Sequence, residues 1–413
     1  MTTERVPRER VGAPWLAVAA IVLVATNMRT LMASLPPLAE TIRDDLGISS
    51  AWLGVLTTLP VLCMGLLAPV ANQLARRVGS TAAVGAGIVL VLSGLVVRGL
   101  GGGQVWSLYA GTLVAGTGIA LAGTLLPGVV KAVFPARRSG LGTGLTMLAM
   151  MGTAAVASAA AVPLSTLFGD WSASLLSWVP LAGVAVLVWA AARRTLTAHS
   201  PTRVGADDVA HHLPWRSTTA WLLAAYLTCQ SWQFYSSLAW LAPTYESHGF
   251  SARDAGLIMA VFTGVQLVSG LVSPALLDHV SDPRALILAA ATVGTVGLAG
   301  VWLAPDAAPW VWAFLLGAGQ GGCFSLGLGL LVRLAVTPRD SARLTAMAFL
   351  VSYSIASLGP TTMGVVADAT GSYAVLWALL VTVSVPLVAV GMRLRPGLAR
   401  VGEVDADGPQ VRC

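Results

Sequence analysis

One arginine, Arg29, lies near the centre of the apolar stretch 14–37. Of the 24 Lys and Arg residues, it is the only one that the sequence does not place in a loop or at a helix end. No Asp, Glu or His lies at a comparable depth to neutralise it. A charge at the centre of a membrane-spanning helix costs about 2.5–3.5 kcal/mol on the mildest scale, so it usually faces a cavity and has a function. Because a guanidinium offers a planar fork of donors, Arg29 is a candidate anion site.

Two polar residues accompany Arg29 in the same stretch. Thr26 precedes it by three positions and would share its helix face, whereas Asn27 would point about 160° away, given 3.6 residues per turn. Both are candidate binding residues. In the structural alternative, Arg29 either hydrogen-bonds carbonyl groups that are freed near Pro36 and Pro37 or extends outward to the membrane surface, and Asn27 links neighbouring helices.

A second group of polar residues lies in three later apolar stretches. Gln230 and Gln233 are three positions apart and form one polar stripe, and Gln320 lies among glycines. A helix–helix seam would produce the same stripe, so that alternative stays open. The candidate binding residues of this group are Gln230, Trp232, Gln233, Gln320 and Tyr353.

Composition indicates which elements position these residues. The chain is 56% hydrophobic and 10% charged, with a mean hydropathy of +0.78, whereas a soluble domain is about 25% charged. A membrane span needs about 20 apolar residues. The sequence therefore predicts an all-α membrane protein with twelve spans: 14–37, 52–74, 81–99, 105–130, 139–164, 173–192, 218–242, 255–277, 284–303, 309–332, 342–366 and 373–392.

The charges predict the orientation of the spans. With the N-terminus inside, 20 of the 24 Lys and Arg residues fall in cytoplasmic loops and tails, and only Arg43, Arg98 and Arg253 fall at the outer side. This predicts that both termini are cytoplasmic. The net charge of +6 is explained by these loop clusters, so we expect no nucleic-acid partner. The four cysteines lack metal-ligand spacing, and we expect neither a metal nor a cofactor.

The chain divides into two similar halves at a polar linker. Shifting the sequence by 202 positions aligns Gly54 with Gly256 and Lys131 with Arg333. Such a repeat predicts two pseudo-symmetric six-helix halves with a binding site between them. The predicted parts are an N-terminal half at 1–192, a cytoplasmic linker at 193–217 and a C-terminal half at 218–413, with flexible ends at 1–13 and 396–413.

Several short motifs resemble those of a known transporter family. They are Asn27-Met-Arg29, Leu56-Thr-Thr-Leu-Pro60, Leu126-Pro-Gly-Val-Val-Lys131, Tyr235-Ser-Ser-Leu-Ala-Trp-Leu241 and Gly359-Pro360. In order and spacing the chain resembles the cyanate/2-nitroimidazole transporter family of the major facilitator superfamily. The resemblance implies the major facilitator fold, twelve helices, a location in the bacterial inner membrane and a small-molecule substrate.

Two functions are compatible with this resemblance. The first is secondary transport of a cyanate-like or other small organic anion by alternating access, with Arg29 as the central anion site. The alternative is efflux of neutral nitroimidazole-like or other small drugs. We expect no enzyme activity, because no nucleotide-binding motif is present and all five histidines lie outside the apolar stretches. We expect a monomer in the lipid bilayer.

The resemblance also suggests gating residues at the cytoplasmic side. The superfamily motif after the second helix normally carries an acid where this chain has Asn72, while its basic pair is present as Arg76 and Arg77. The candidate gating residues are Asn72, Arg76, Arg77, Lys131, Asp278 and Arg333.

Carboxylate and histidine side chains are absent from the interior of the apolar stretches, because all 18 acids fall in loops or at helix ends and the five histidines lie outside these stretches. Proton-coupled transporters commonly place a carboxylate or His in the pathway. The sequence therefore predicts facilitated diffusion, anion exchange or co-transport with a proton carried by the substrate.

Overall fold

The computed structural model describes residues 14–100, 104–134, 139–199, 213–277 and 279–402. Within them the chain is helical, and the only β-type pairing is an isolated bridge between Ala335 and Val401. The helices are α1 (Pro14–Ala33), a short 3₁₀ helix (Pro36–Leu38), α2 (Ala39–Leu46), α3 (Ser50–Leu66), α4 (Ala68–Val78), α5 (Ser80–Leu100), α6 (Val105–Val133), α7 (Ser139–Phe168), α8 (Trp171–Leu176), α9 (Val179–His199), α10 (Thr218–Ser247), α11 (Ala252–Leu277), α12 (Arg284–Leu303), α13 (Pro309–Arg333), α14 (Pro338–Ala356), α15 (Leu358–Thr370) and α16 (Tyr373–Arg393).

Ten helical segments of the described chain are long and apolar enough to cross a membrane. An eleventh is added if α3 and α4, which meet at a 54° bend, form one span. The predicted span 218–242 lies within α10, a 30-residue helix that is not in this set and that carries several Gln, Ser and Thr side chains. The all-helical membrane fold is confirmed, and the number of twelve spans stays a prediction.

The first predicted span is interrupted where two prolines follow α1. Pro36 and Pro37 have no N–H with which to continue the helix beyond Ala33, so carbonyl groups in the last turn of α1 are left without helical partners. Side chains of two other helices replace them. Arg98 Nη1 on α5 donates to the Leu31 carbonyl at 3.0 Å, and Ser158 Oγ on α7 donates to the Ala33 carbonyl at 3.0 Å. The break is therefore held by the surrounding bundle, and Arg29 remains in regular helix before it.

Two glycines matched by the repeat lie at equivalent close contacts between the halves. An added Cβ at Gly54 of α3 would lie 2.5 Å from the Pro360 carbonyl oxygen of α15. One at Gly256 of α11 would lie 2.9 Å from the Ser158 carbonyl oxygen of α7. Both glycines permit backbone-to-backbone packing that any side chain would prevent. The two halves thus meet along a seam formed by α3 with α15 and by α7 with α11.

Hydrogen bonds join the halves near the start of α3. The Asp368 carboxylate on α15 accepts from the backbone N–H groups of Ser50 at 2.9 Å and Ala51 at 2.8 Å. Farther along α3, the hydroxyl groups of Thr58 and Thr361 are 2.8 Å apart. The start of α3 lies at the end of the bundle that the charge distribution predicts to face outside, hereafter the predicted outer side. This side of the seam is closed.

The segment after α16 folds back onto the C-terminal half. Val401 N–H donates to the Leu334 carbonyl at 2.9 Å, and Val336 N–H donates to the Val401 carbonyl at 3.1 Å. Thr219 Oγ1 donates to the Ala399 carbonyl at 2.8 Å. The backbone of Ala399 and Val401 is therefore hydrogen-bonded to the C-terminal half, and the flexible end predicted from residue 396 stays a prediction. The rest of that predicted end, 403–413, and the predicted flexible segment 1–13 lie outside the described residues.

Close packing between α5 and α6 provides a test of the fold. An added Cβ at Gly118 would overlap the Gly87 carbonyl oxygen and lie 2.7 Å from Val91 N, whereas one at Gly123, also in α6, meets nothing within 4 Å. We expect Gly118→Ala to destabilise the protein by about 1–3 kcal/mol through overpacking. Gly123→Ala should be neutral or slightly stabilising. Thermal unfolding of both purified variants measures the difference, and equal midpoints would contradict this packing.

Candidate functional site

Arg29 is buried at the seam between the halves. The residue is 9% exposed, and its guanidinium carbon lies 5.5 Å from the centre of the Phe234 ring and 5.9 Å from that of Tyr235, both on α10. Its Nη1 atom has no hydrogen-bond partner, and no carboxylate in the described part of the chain pairs with it. The cation of one half therefore faces aromatic rings of the other half with a donor still free.

The ring contacts compensate only part of the cost of burying Arg29. A cation over an aromatic face gains about 0.5–2 kcal/mol, depending on how fully it is desolvated. This contact uses the ring quadrupole and leaves Nη1 of the guanidinium unbonded. A buried donor without an acceptor costs about 1–3 kcal/mol, and more when it is charged. An anion or a carbonyl-like oxygen reaching Nη1 would remove that cost.

Further aromatic side chains extend the surface beside Arg29. The ring of Tyr353 on α14 lies 6.1 Å from that of Tyr235, and Phe349 follows at 5.1 Å from Tyr353. On the other flank, the rings of Phe234 and Phe262 are 6.0 Å apart. Tyr353, a predicted binding residue, is thus within two ring contacts of Arg29. The site combines one cation with a mostly aromatic wall from the C-terminal half.

Phe234 and Tyr235 are the residues that the sequence interpretation missed as part of the site. Arg29 aligns with Ser231 under the 202-residue shift, and the two rings lie about one turn beyond Ser231 on α10. That position was the available signal, because repeat-related helices face each other across the seam. The sequence instead indicated the neighbouring Gln230 and Gln233 as candidate binding residues, because they are polar.

Thr26 and Asn27 bond within their own helix. Thr26 Oγ1 donates to the Leu23 carbonyl at 2.7 Å, and Asn27 Nδ2 donates to the same carbonyl at 2.8 Å. The Asn27 Oδ1 atom is buried and has no partner among the described residues. Among the described residues Asn27 therefore forms no interhelical hydrogen bond, and its free acceptor lies on a different face of α1 from Arg29.

The three glutamines form one interhelical network. Gln230 Nε2 of α10 donates to the Gln320 carbonyl of α13 at 3.2 Å, and Gln320 Nε2 donates to Gln233 Oε1 at 3.3 Å. Gln233 Nε2 in turn donates to the Leu380 carbonyl and to Ser384 Oγ of α16, both at 2.9 Å. This arrangement favours the helix–helix seam that the sequence left open. A binding role for the glutamines stays a prediction.

Trp232 lies on a different face of α10 from this network. It is half-buried, and an added Cβ at Gly359 of α15 would lie 3.4 Å from its ring. The described contacts of Trp232 therefore join α10 to α15 within the C-terminal half. No described contact joins Trp232 to Arg29, and its predicted binding role remains a prediction.

The predicted gating residues lie at the other end of the bundle. Arg333 donates to the carbonyl groups of Val280 at 3.0 Å and Ser281 at 2.8 Å, so it ties the end of α13 to the loop before α12. These bonds stay within one half. Arg76, Arg77 and Lys131 are exposed, Asn72 is half-buried, and Asp278 lies outside the described residues.

A second buried cation corrects the sequence interpretation. Arg98 was assigned to an outer helix end, but it is 2% exposed in the last turn of α5. Its Nη1 atom holds the Leu31 carbonyl, while Nε and Nη2 have no partner in the described chain. Carbonyl binding near the prolines was the structural alternative considered for Arg29. Arg98 has that role, and Arg29 does not.

Comparisons with known proteins give one consistent result. The Major Facilitator Superfamily model matches residues 17–360. The 2-nitroimidazole transporter of Escherichia coli (strain K12) is 33% identical over 359 residues, which cover 87% of this chain and 90% of that protein. The cyanate transport protein CynX of the same organism is 31% identical over 379 residues, covering 91% and 96%. An uncharacterized transporter, YycB, of Bacillus subtilis (strain 168) is 31% identical over 380 residues, covering 91% and 92%.

Solved structures share the fold at low sequence identity. A bacterial homologue of the human lysosomal transporter Spinster, in an inward-facing and occupied conformation, aligns with a TM-score of 0.70 at 16% identity, covering 91% of this chain and 95% of that chain. The D-xylose–proton symporter aligns with a TM-score of 0.69 at 13% identity, covering 94% and 98%.

The glutamine network can be tested separately from substrate binding. Gln320→Leu should lower the stability, because Gln230 and Gln233 would lose bonded partners, and an unsatisfied buried amide costs about 1–3 kcal/mol. We expect the apparent affinity for a transported substrate to stay unchanged. Thermal unfolding and uptake kinetics of the same preparation measure both effects. Weakened affinity at normal stability would instead place Gln320 in the binding site.

Proposed function

Since the chain belongs to the Major Facilitator Superfamily and is related over most of its length to cyanate and 2-nitroimidazole transporters, we propose that it carries a small anion across the membrane by alternating access. The chain is a multi-pass membrane transporter and not an enzyme. The proposed substrate is a cyanate-like or other small organic anion. The proposed location is the bacterial plasma membrane, with both termini cytoplasmic.

The free donor of Arg29 is the observation that carries this proposal. The guanidinium is buried, has no carboxylate partner among the described residues and keeps Nη1 unbonded. A low-dielectric surrounding strengthens its attraction for an anion well beyond that in water. It also repels cations, and this argues against export of cationic drugs. A small substrate with one negative charge would neutralise the site.

The position of Arg29 relative to the seam supports alternating access. Arg29 is on α1 of the N-terminal half, and its ring partners are on α10 of the C-terminal half. An anion bound to Arg29 would therefore lie between the two bodies that must rock. The seam is closed at the predicted outer side by the Asp368 contacts with α3. In this state we propose that the substrate exchanges with the cytoplasm.

The aromatic wall supports a second candidate function. The rings of Phe234, Tyr235 and Tyr353 provide faces on which a planar neutral molecule could stack. A nitro group has oxygen acceptors that a guanidinium can hydrogen-bond without a full negative charge on the ligand. Efflux of nitroimidazole-like compounds is therefore the alternative, and it would use the same arginine.

The decisive test removes the charge of Arg29. We expect Arg29→Gln to reduce counterflow of labelled cyanate in proteoliposomes by at least tenfold, because a hydrogen bond to a charged group contributes about 1.5–3 kcal/mol. Arg29→Lys should recover only part of the activity, since an ammonium lacks the planar fork. Parallel counterflow of labelled 2-nitroimidazole separates the anion carrier from the carrier of neutral compounds.

The matched control is Arg253→Gln, which removes one exposed positive charge from the start of α11. It should transport like the unmodified protein. Normal cyanate transport by well-folded Arg29→Gln would refute the anion site. Transport of 2-nitroimidazole alone, lost in Arg29→Gln, would favour the second candidate.

A further inference from the structure

Three helices from both halves meet in a charged cluster at the predicted outer side. Glu40 on α2 accepts a hydrogen bond from Tyr373 Oη on α16 at 2.7 Å and one from Arg43 Nη1 at 3.0 Å. Arg43 Nη1 also lies 3.4 Å from Tyr373 Oη. Because α2 belongs to the N-terminal half and α16 to the C-terminal half, the Glu40–Tyr373 bond closes the seam here.

Glu246 completes this cluster from α10. It is the penultimate residue of that helix, beyond the apolar stretch 218–242, and it is half-buried. Its Oε1 atom is fully buried and has no hydrogen-bond partner in the described chain. The charges of Glu40, Arg43 and Asp44 on α2 act on this carboxyl group. Arg43 pairs with Glu40 and Asp44, whereas no ion pair joins it to Glu246 among the described residues.

The surroundings of Glu246 favour its protonated form. Burial, together with the negative charges of Glu40 and Asp44 and against a lowering by Arg43, raises the pKa of this carboxyl to about 8. A carboxylate can only accept hydrogen bonds, whereas a protonated carboxyl can also donate one. Its acidic neighbours are acceptors, so the protonated form suits them better.

Other ionisable groups near this end of α10 are engaged elsewhere. His248 Nδ1 lies 3.3 Å from Asp306 Oδ1, and Asp368 caps α3. Asp254 accepts from Ser251 at the start of α11. The titratable or charged side chains on the elements that pack around Glu246 at this end are Glu40, Arg43, Asp44, Asp45, Tyr245, His248, Arg253, Asp254, Asp306, Asp368 and Tyr373.

We propose that Glu246 is a proton-binding residue of the transport cycle, which takes up a proton from the outer solution when the seam closes and releases it when the seam opens. The inference rests on the alternating access proposed above. It would supply a titratable group that the apolar stretches lack. It does not depend on the identity of the substrate or on Arg29.

The direction of the pH effect follows from the two environments. With the seam open, Glu246 would face water and titrate near the ordinary range of a glutamate, about 4.3. With the seam closed, its pKa is about 8. Between these values closing takes up one proton, so each unit of pH increase raises the open-to-closed ratio by up to about tenfold. Below and above this window Glu246 contributes no pH dependence.

Distance measurement across the outer seam tests the proposal without a substrate. Spin labels at Thr166→Cys on α7 and Ala369→Cys on α15 occupy exposed positions on opposite halves. Double electron–electron resonance in lipid nanodiscs then reports open and closed populations between pH 5 and pH 9. We expect the closed population of the otherwise unmodified protein to decrease as the pH rises.

Three further variants test whether Glu246 causes the pH response of the closed population. Glu246→Gln, which mimics the protonated form, should remain closed and lose the pH dependence. Asp170→Asn removes an exposed outer acid and should respond like the parent, as should His248→Gln, which removes the histidine nearest to the site. If the distance between the two spin labels in the otherwise unmodified protein does not change from pH 5 to pH 9, the proposal is overturned, even if Glu246→Gln fails to fold. Persistence of the response in folded Glu246→Gln would overturn it too.

These outcomes are distinguishable from a failure of the anion site. Arg29→Gln in the same labelled background should keep the pH response, because Arg29 is not part of the outer cluster. A loss of cyanate transport with an intact pH response would support both proposals. A lost response in Arg29→Gln would contradict the assignment to Glu246.

Discussion

The rest of the structure depends on one incompletely compensated charge, the guanidinium of Arg29 against the rings of α10. The contact spans the two halves and joins a cation to faces that can attract it but cannot accept all of its hydrogen bonds. A carboxylate in place of Phe234 would have given a stable internal ion pair and an occupied site. The aromatic partners hold the arginine in place and leave its donor available.

The second buried arginine has a different role because its environment differs. Arg98 bonds the Leu31 carbonyl where the prolines end α1, so it replaces a backbone donor. Arg29 lies one turn earlier in α1, ahead of that break, and has no carbonyl to serve. Arg98 thus bonds a backbone carbonyl, whereas Arg29 keeps its Nη1 donor unbonded. The helix break, held by α5 and α7, separates the two roles.

Sequence patterns predicted what depends on apolar length and on periodicity. The helical membrane fold and the burial of Arg29 follow from such patterns, whereas the repeat singled out Gly54 and Gly256 without predicting their place at the seam. These patterns did not predict which helices, distant in sequence, contact each other. The glutamine stripe bonds to α13 and α16, Arg98 is buried although it lies near a helix end, and the acids at helix ends meet across the seam. Each depends on which helices become neighbours, and spacing along one helix does not encode that.

The glycines along the seam affect how easily the halves separate. Where Gly54 and Gly256 meet backbone of the opposite half, there are few interlocking side chains that would have to change rotamer before the surfaces part. At these two glycine contacts the halves can move past each other without a change of side-chain rotamer, which would let each half move as a rigid body there. The polar contacts at the outer side, between Glu40 and Tyr373 and between Asp368 and the start of α3, are directional bonds that would have to break each time the halves separate there.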